Sequence, residues 1–130
     1  MEKDINALRE ELLHLLSYNE NNNCPVLRIM NLLCSKWRIY VIHELCKQPS
    51  CRFSEIQKSL PEITSTTLTT TLRELEQIGL VHREQFNEVP PHVEYSLTEK
   101  GLALIPSFYE LTRWGMAASP PPAELYSPAT

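Results

Sequence analysis

The chain has 130 residues and a hydrophobic content of 42%, enough for one domain with a core of its own. No apolar run approaches the ~18 residues of a membrane span, and the acidic, helix-patterned N-terminus is unlike a secretory signal, so the expected compartment is the cytoplasm. The net charge of −4 excludes a uniformly basic nucleic-acid binder, but between positions 36 and 58 the cations Lys36, Arg38, Lys47, Arg52 and Lys58 face only Glu44 and Glu55, and phosphate contact needs no more than a local basic face.

Residues 5–17 place Ile5, Leu8, Leu12, Leu15 and Leu16 on one side of an amphipathic helix. The asparagine-rich connector at 17–23 offers nothing to cover that side. The helix either packs back on its own domain or pairs with a second copy, and the subunit contact is the favoured reading. Pro25 fits the first turn of the next helix, where its missing amide hydrogen is no loss. Cys24 then falls at the N-cap, beside unpaired backbone amides and the positive end of the helix dipole, with Arg28 one turn on. Both favour the reactive thiolate; a small buried hydrophobe is the alternative.

Ser35 is the expected cap of a third, nearly all-apolar helix through Trp37, Ile39, Val41, Ile42 and Leu45. Lys36 at its start would hold a phosphate beside exposed amides. Cys51-Arg52-Phe53 has room for a brief strand only. Ser54-Glu55-Ile56-Gln57 reads as a capping box opening a short helix through Leu60.

After the turn at Pro61, the stretch 64–80 carries the strongest signal. Leu68, Leu72, Leu75 and Ile78 form one apolar stripe, with Thr64 as cap and Gly79 as left-handed stop. Ser65, Thr66, Thr69, Thr70 and Arg73 are the polar set. Threonine is a poor helix former because its β-branch crowds the preceding turn. Short side chains do suit a helix lying in a major groove, where a hydroxyl reaches a phosphate or base edge and a methyl reaches thymine. A merely tolerated polar face is the alternative.

Residues 80–86 and 92–97 read as strands around the proline-rich tip at 87–91, a β-hairpin directly after the second helix of a helix-turn-helix. Its tip is acidic, so Arg83 and His92 at its base are better phosphate candidates. Thr98 caps a last helix from 99 to 114, too apolar to stand alone and kinked by Pro106. The expected fold is mainly α (α+β): a winged helix-turn-helix with a two-stranded wing and added N- and C-terminal dimerisation helices. Its parts are a helix and linker at 1–23, the winged domain with its C-terminal helix at 24–115, and a Pro/Ala-rich tail at 116–130.

Cys24-Pro25-Val26, Lys36-Trp37, Arg52-Phe53-Ser54-Glu55-Ile56, Leu72-Arg73-Glu74-Leu75-Glu76, Gly79-Leu80-Val81, Val89-Pro90-Pro91, Val93-Glu94-Tyr95-Ser96-Leu97-Thr98, Gly101 and Trp114-Gly115 fall in one order. Over residues 24–115 the chain resembles the HxlR-type winged-helix transcriptional regulators. The resemblance implies a homodimer on operator DNA, paired through terminal helices. It also implies that an oxidant or electrophile is sensed at Cys24. Where that family carries Gly-Gly before Lys-Trp, this chain has Cys34-Ser35.

The expected DNA contacts are Lys36, Arg52, Ser54, Ser65, Thr66, Thr69, Thr70, Arg73, Arg83 and His92, with Cys24 as the sensing residue. The expected partners are double-stranded DNA and a second copy, with no membrane. No cofactor motif and no nucleophile motif is present, so an enzyme is not expected. His43, Cys46 and Cys51 are spaced too loosely for structural zinc. A winged module that binds protein instead of DNA is the competing function.

Overall fold

A computed structural model of the protein describes residues 4–16 and 24–117. They fall into two units, one ending at Ser35 and one beginning at Lys36. The first holds α1 (Ile5–Leu16) and α2 (Pro25–Cys34). Pro25 opens α2 and Cys24 is its N-cap, in extended backbone with no side-chain cap bond. No residue of α1 is buried, and Ile5, Leu12, Leu13 and Leu15 lie open. The connector at 17–23 and the tail from 118 on lie outside the described residues.

The second unit runs α3 (Arg38–Cys46), β1 (Cys51–Arg52), α4 (Phe53–Ser59), α5 (Ser65–Ile78), β2 (Val81–Phe86), β3 (His92–Leu97), α6 (Glu99–Leu102) and α7 (Ile105–Ala117). Its core is built by Val41, Ile42 and Leu45 of α3, Ile56 of α4, and Leu68, Leu72 and Leu75 of α5, all at most 2% exposed. Burial of this kind contributes roughly 1.5–3 kcal/mol per side chain. Leu80, Val81 and Leu97 close the core from the base of the hairpin.

The two-stranded wing forms as expected, and the brief strand β1 adds a third strand to its sheet. Cys51 and Arg52 pair antiparallel with Tyr95 and Glu94, giving the strand order β1-β3-β2. β3 is therefore central. Its side chains are half-buried on both faces, so the in–out alternation in its sequence is muted.

Three expected boundaries move, each for a local reason. Ser35 does not cap α3: it is the C-cap of α2, and Lys36 adopts φ +44°. A left-handed residue cannot sit in a right-handed turn, so α3 begins after it, with Trp37 as N-cap. Ser54 does not cap α4 either. Arg52 is the N-cap, and its amide donates to Glu55 Oε1 at 3.1 Å, leaving Ser54 inside the first turn. The single kinked C-terminal helix is two helices, broken after Leu102. Pro106 has no N–H for the Leu102 carbonyl four residues back, and its ring would press on that oxygen.

Thr98 does cap α6, and it also ties the wing to α5. Its Oγ1 accepts from the Gly101 amide at 3.2 Å and donates to the Gly79 carbonyl at 2.6 Å. Gly101 has no room for a side chain: a Cβ there would fall against the Leu80 carbonyl oxygen, with Leu97 Cδ2 at 3.1 Å.

Candidate nucleic-acid interface

Helix α5 is capped at both ends as its sequence implies. Thr64 Oγ1 accepts from the Thr67 amide at 3.1 Å, and Gly79 turns left-handed at φ +88°. Leu68, Thr71, Leu72 and Leu75 are buried, at i, i+3, i+4 and i+7. Thr71 is the unexpected member. It tolerates burial because its hydroxyl donates to the Thr67 carbonyl at 2.8 Å, so no polar atom is left unpaired.

Ser65, Thr66, Thr70 and Arg73 are exposed and Thr69 is half-buried. Among the described residues Arg73 makes no ion pair, so its five donors are available. The hydroxyls of Thr69 and Thr70 donate back to the carbonyls of Ser65 and Thr66, at 2.8 and 3.0 Å. α5 is also pinned to α3, because Arg38 Nε and Nη2 both reach Glu74 Oε2 at 2.8 Å. This pair is partly exposed and contributes on the order of 1 kcal/mol.

The remaining expected contacts are spread over two supports. Arg52 and Ser54 are exposed at the start of α4, and Lys36 is exposed just ahead of α3. Lys58, exposed in the last turn of α4, is a further cation that the motif reading left unassigned. Its signals in the sequence are its place in the basic stretch 36–58 and on the first helix of the helix-turn-helix.

Strand register separates the two wing-side arginines. Directly opposed residues share a sheet face. Arg83 is opposite Tyr95, on the face of Cys51, Val81 and Leu97, which are buried. Arg52 is opposite Glu94, on the other face with Glu84 and His92. Thus only Arg83 lies on the face of the sheet that packs on the helices.

His92 is not presented for a phosphate. Its ring stacks on Phe86 with centroids 4.8 Å apart. Nε2 lies 3.1 Å from Glu94 Oε2, and Nδ1 lies 3.8 Å from Glu88 Oε2. Both nitrogens face carboxylates, so a cation there is already offset. Glu94 is held below the usual glutamate range by the Ser50 hydroxyl, which donates to Oε1 at 2.8 Å, and by the His92 contact, with the charges of His92 and Arg52 adding to them.

Burial sorts the thiols. Cys51 is buried, and desolvation, then the nearby Glu55 and Glu44 carboxylates, push its thiol up. Burial also pushes up Cys46. Cys34 is exposed and Cys24 half-buried, neither in a disulfide. A cleft of about 360 Å³ lies beside Cys51, between α3 and α4, lined by Glu44, Gln48 and Lys58 among others. No pattern in the sequence marks the buried carboxylate there. Glu44 is 8% exposed and is offset by Lys47 at 3.0 Å. Among the described residues no cluster of three His, Cys, Asp or Glu is placed to hold a metal, and no helix is long and apolar enough to cross a membrane.

Comparison with known proteins gives this arrangement a context. A family model for the HxlR-like helix-turn-helix matches residues 32–122. An HTH-type transcriptional regulator of Methanothermobacter thermautotrophicus is 49% identical over 92 residues, 71% of this chain and 70% of that one. The HTH-type regulator YdeP of Bacillus subtilis is 40% identical over 99 residues, covering 76% of this chain and 77% of its own. Among solved structures, the reduced form of the transcriptional regulator YodB from B. subtilis superposes with a TM-score of 0.66 at 37% identity, covering 77% of this chain and 98% of YodB. The redox regulator HypR in its oxidized form gives 0.64 at 40% identity, covering 72% and 96%.

Proposed function

Given that the chain belongs to the HxlR-like helix-turn-helix family of transcriptional regulators, we propose that it acts as a homodimer on pseudo-palindromic operator DNA and that Cys24 switches it. A two-fold dimer offers two α5 helices to successive major grooves about 34 Å apart. Ser65, Thr66, Thr69, Thr70 and Arg73 enter the groove. Lys36, Arg52, Ser54 and Arg83 hold phosphates, which fix register without reading sequence. His92 is left out, since its ring is already held between two carboxylates.

The observation that carries this reading is the outer row of α5. Its small polar side chains stand exposed or half-exposed beside Arg73, which makes no ion pair among the described residues, while Leu68, Leu72 and Leu75 hold the helix from behind. Dimerisation is supported by the apolar side chains that α1 and α7 leave open, among them Leu15, Leu111 and Trp114. The switch is supported by the place of Cys24 at a helix N-cap, half-buried and free, and by the redox regulator HypR and the diamide-treated YodB among the similar structures. Oxidation or alkylation of its sulfur biases the dimer between two geometries, only one of which spans the operator.

Selection of bound sequences from random DNA, followed by binding at rising salt, tests the main claim. A regulator enriches a two-fold-related motif and loses affinity steeply with salt. No enriched sequence and no salt-dependent binding would leave the protein-binding winged module as the function. For the switch, diamide is added to wild type and Cys24→Ser on the selected operator. Release of wild type alone is expected, and equal responses remove Cys24 from the mechanism.

A further inference from the structure

We propose that Thr69 and Thr70 read the operator through their methyl groups, so that thymine is the base they select; this rests on the operator-binding reading above. The hydrogen bonds of α5 divide its hydroxyls into two sets. Ser65 and Thr66, in the first turn, donate to no acceptor among the described residues. Thr69 and Thr70, one turn on, have each committed their single hydroxyl proton to the carbonyl four residues back, at 2.8 and 3.0 Å. To donate to a guanine, a thymine O4 or a phosphate, either residue would first have to break that bond.

The same rotamer decides what the groove meets instead. With Oγ1 turned back along the helix, the staggered Cβ leaves the γ-methyl on the outer side. These two residues therefore offer the groove a methyl group and an oxygen that can only accept, with no free hydroxyl proton. In the major groove one base alone carries an exposed methyl, at C5 of thymine. Arg73 follows Thr70 by three residues, about 4.5 Å along the axis, against about 3.4 Å per base-pair step. Arginine pairs best with guanine O6 and N7. A half-site that places thymine next to the base read by Arg73 fits this face.

Once a bound sequence has been selected, the test removes one methyl at a time from either side. Deoxyuridine replaces each thymine of the half-site in turn, which deletes only the C5 methyl. Thr69→Ser and Thr70→Ser delete the protein methyl and keep the back-bonded hydroxyl. The Thr69→Val/Thr70→Val double variant keeps the methyls and deletes the hydroxyls. Wild type is expected to bind at least one deoxyuridine site about fourfold more weakly per half-site, the value of one buried methyl-sized group. The matching serine variant should lose the same factor on the thymine site and be indifferent to deoxyuridine. The valine variant should keep the preference for thymine over deoxyuridine.

Uracil-insensitive binding by wild type overturns the inference without touching operator binding. So does a tenfold or greater loss in the valine variant, which would assign the reading to hydroxyl oxygens acting as acceptors. Failure of wild type to select any sequence instead removes the operator reading itself. Because the deoxyuridine series uses unmodified protein, an insensitive result overturns the inference even if a variant misfolds.

Discussion

Helices α5 and α7 are both amphipathic, yet the chain treats them in opposite ways. α5 buries its whole stripe, with Leu68, Leu72 and Leu75 at or below 1% exposure, and shows short polar side chains outside. α7 buries nothing: Tyr109, Leu111 and Met116 are open and Trp114 is 79% exposed. α1 is the same. An amphipathic pattern therefore states that a face needs a cover, not where the cover comes from. For α5 the cover is the chain itself. For α1 and α7 it is, under the proposed assembly, a second copy, and the exposed apolar area is what a subunit contact removes from water.

Truncating each stripe gives the largest separation between these cases. Leu72→Ala should cost about 2–5 kcal/mol of unfolding free energy, because it opens a cavity in a fully packed site; urea denaturation measures this. Trp114→Ala should leave the stability of the monomer nearly unchanged and weaken dimerisation by about 2 kcal/mol or more, as a central aromatic contact does. Sedimentation over a range of concentrations reads that loss. A monomer stability cost in Trp114→Ala as large as that in Leu72→Ala would erase the contrast.

Gly101→Ala tests how firmly the end of α5 is tied to the wing. The new methyl meets backbone oxygen and the Leu97 side chain, so about 1–3 kcal/mol of destabilisation is expected from overpacking, read as a lowered Tm. A silent substitution would mean that α6 can shift freely away from the hairpin.

Lys36→Gly should act in two directions. Glycine removes the left-handed penalty, which is about 1–2 kcal/mol for a residue with a side chain, so part of that should appear as added stability. The same change deletes a proposed phosphate contact, and the slope of log affinity against log salt should fall by about one. Stability without loss of affinity would take Lys36 out of the interface.

The smallest effect is in acid. The Glu94 carboxyl is held below its ordinary value, so its stabilisation is present above the unfolded glutamate pKa and is lost as pH falls through the lower folded value. Glu94→Gln should flatten the stability profile in that window and change it little at neutral pH. An unaltered acid limb would show that the Ser50 and His92 contacts contribute nothing to the sheet.

Local chemistry alone located α5, its caps at Thr64 and Gly79, the opening of α2 at Pro25, the hairpin and Thr98, because each depends on residues within a turn or two of one another. The motif order carried the family in the same way. Where Lys36 turned left-handed, where Arg52 replaced Ser54 as a cap, and where Pro106 split a helix, the pattern named the right neighbourhood and missed the boundary by one to four residues.

What residues do across the fold was settled only by long-range packing. Strand register put Arg52 and Arg83 on opposite faces and brought the Ser50 hydroxyl to Glu94. Packing of α5 against α3 and β2 buried Thr71 and left Arg73 outside. A sequence names the donors, acceptors and apolar surface that must find partners. Which partner each one finds depends on distances between residues far apart in the chain, and those exist only once the core has closed.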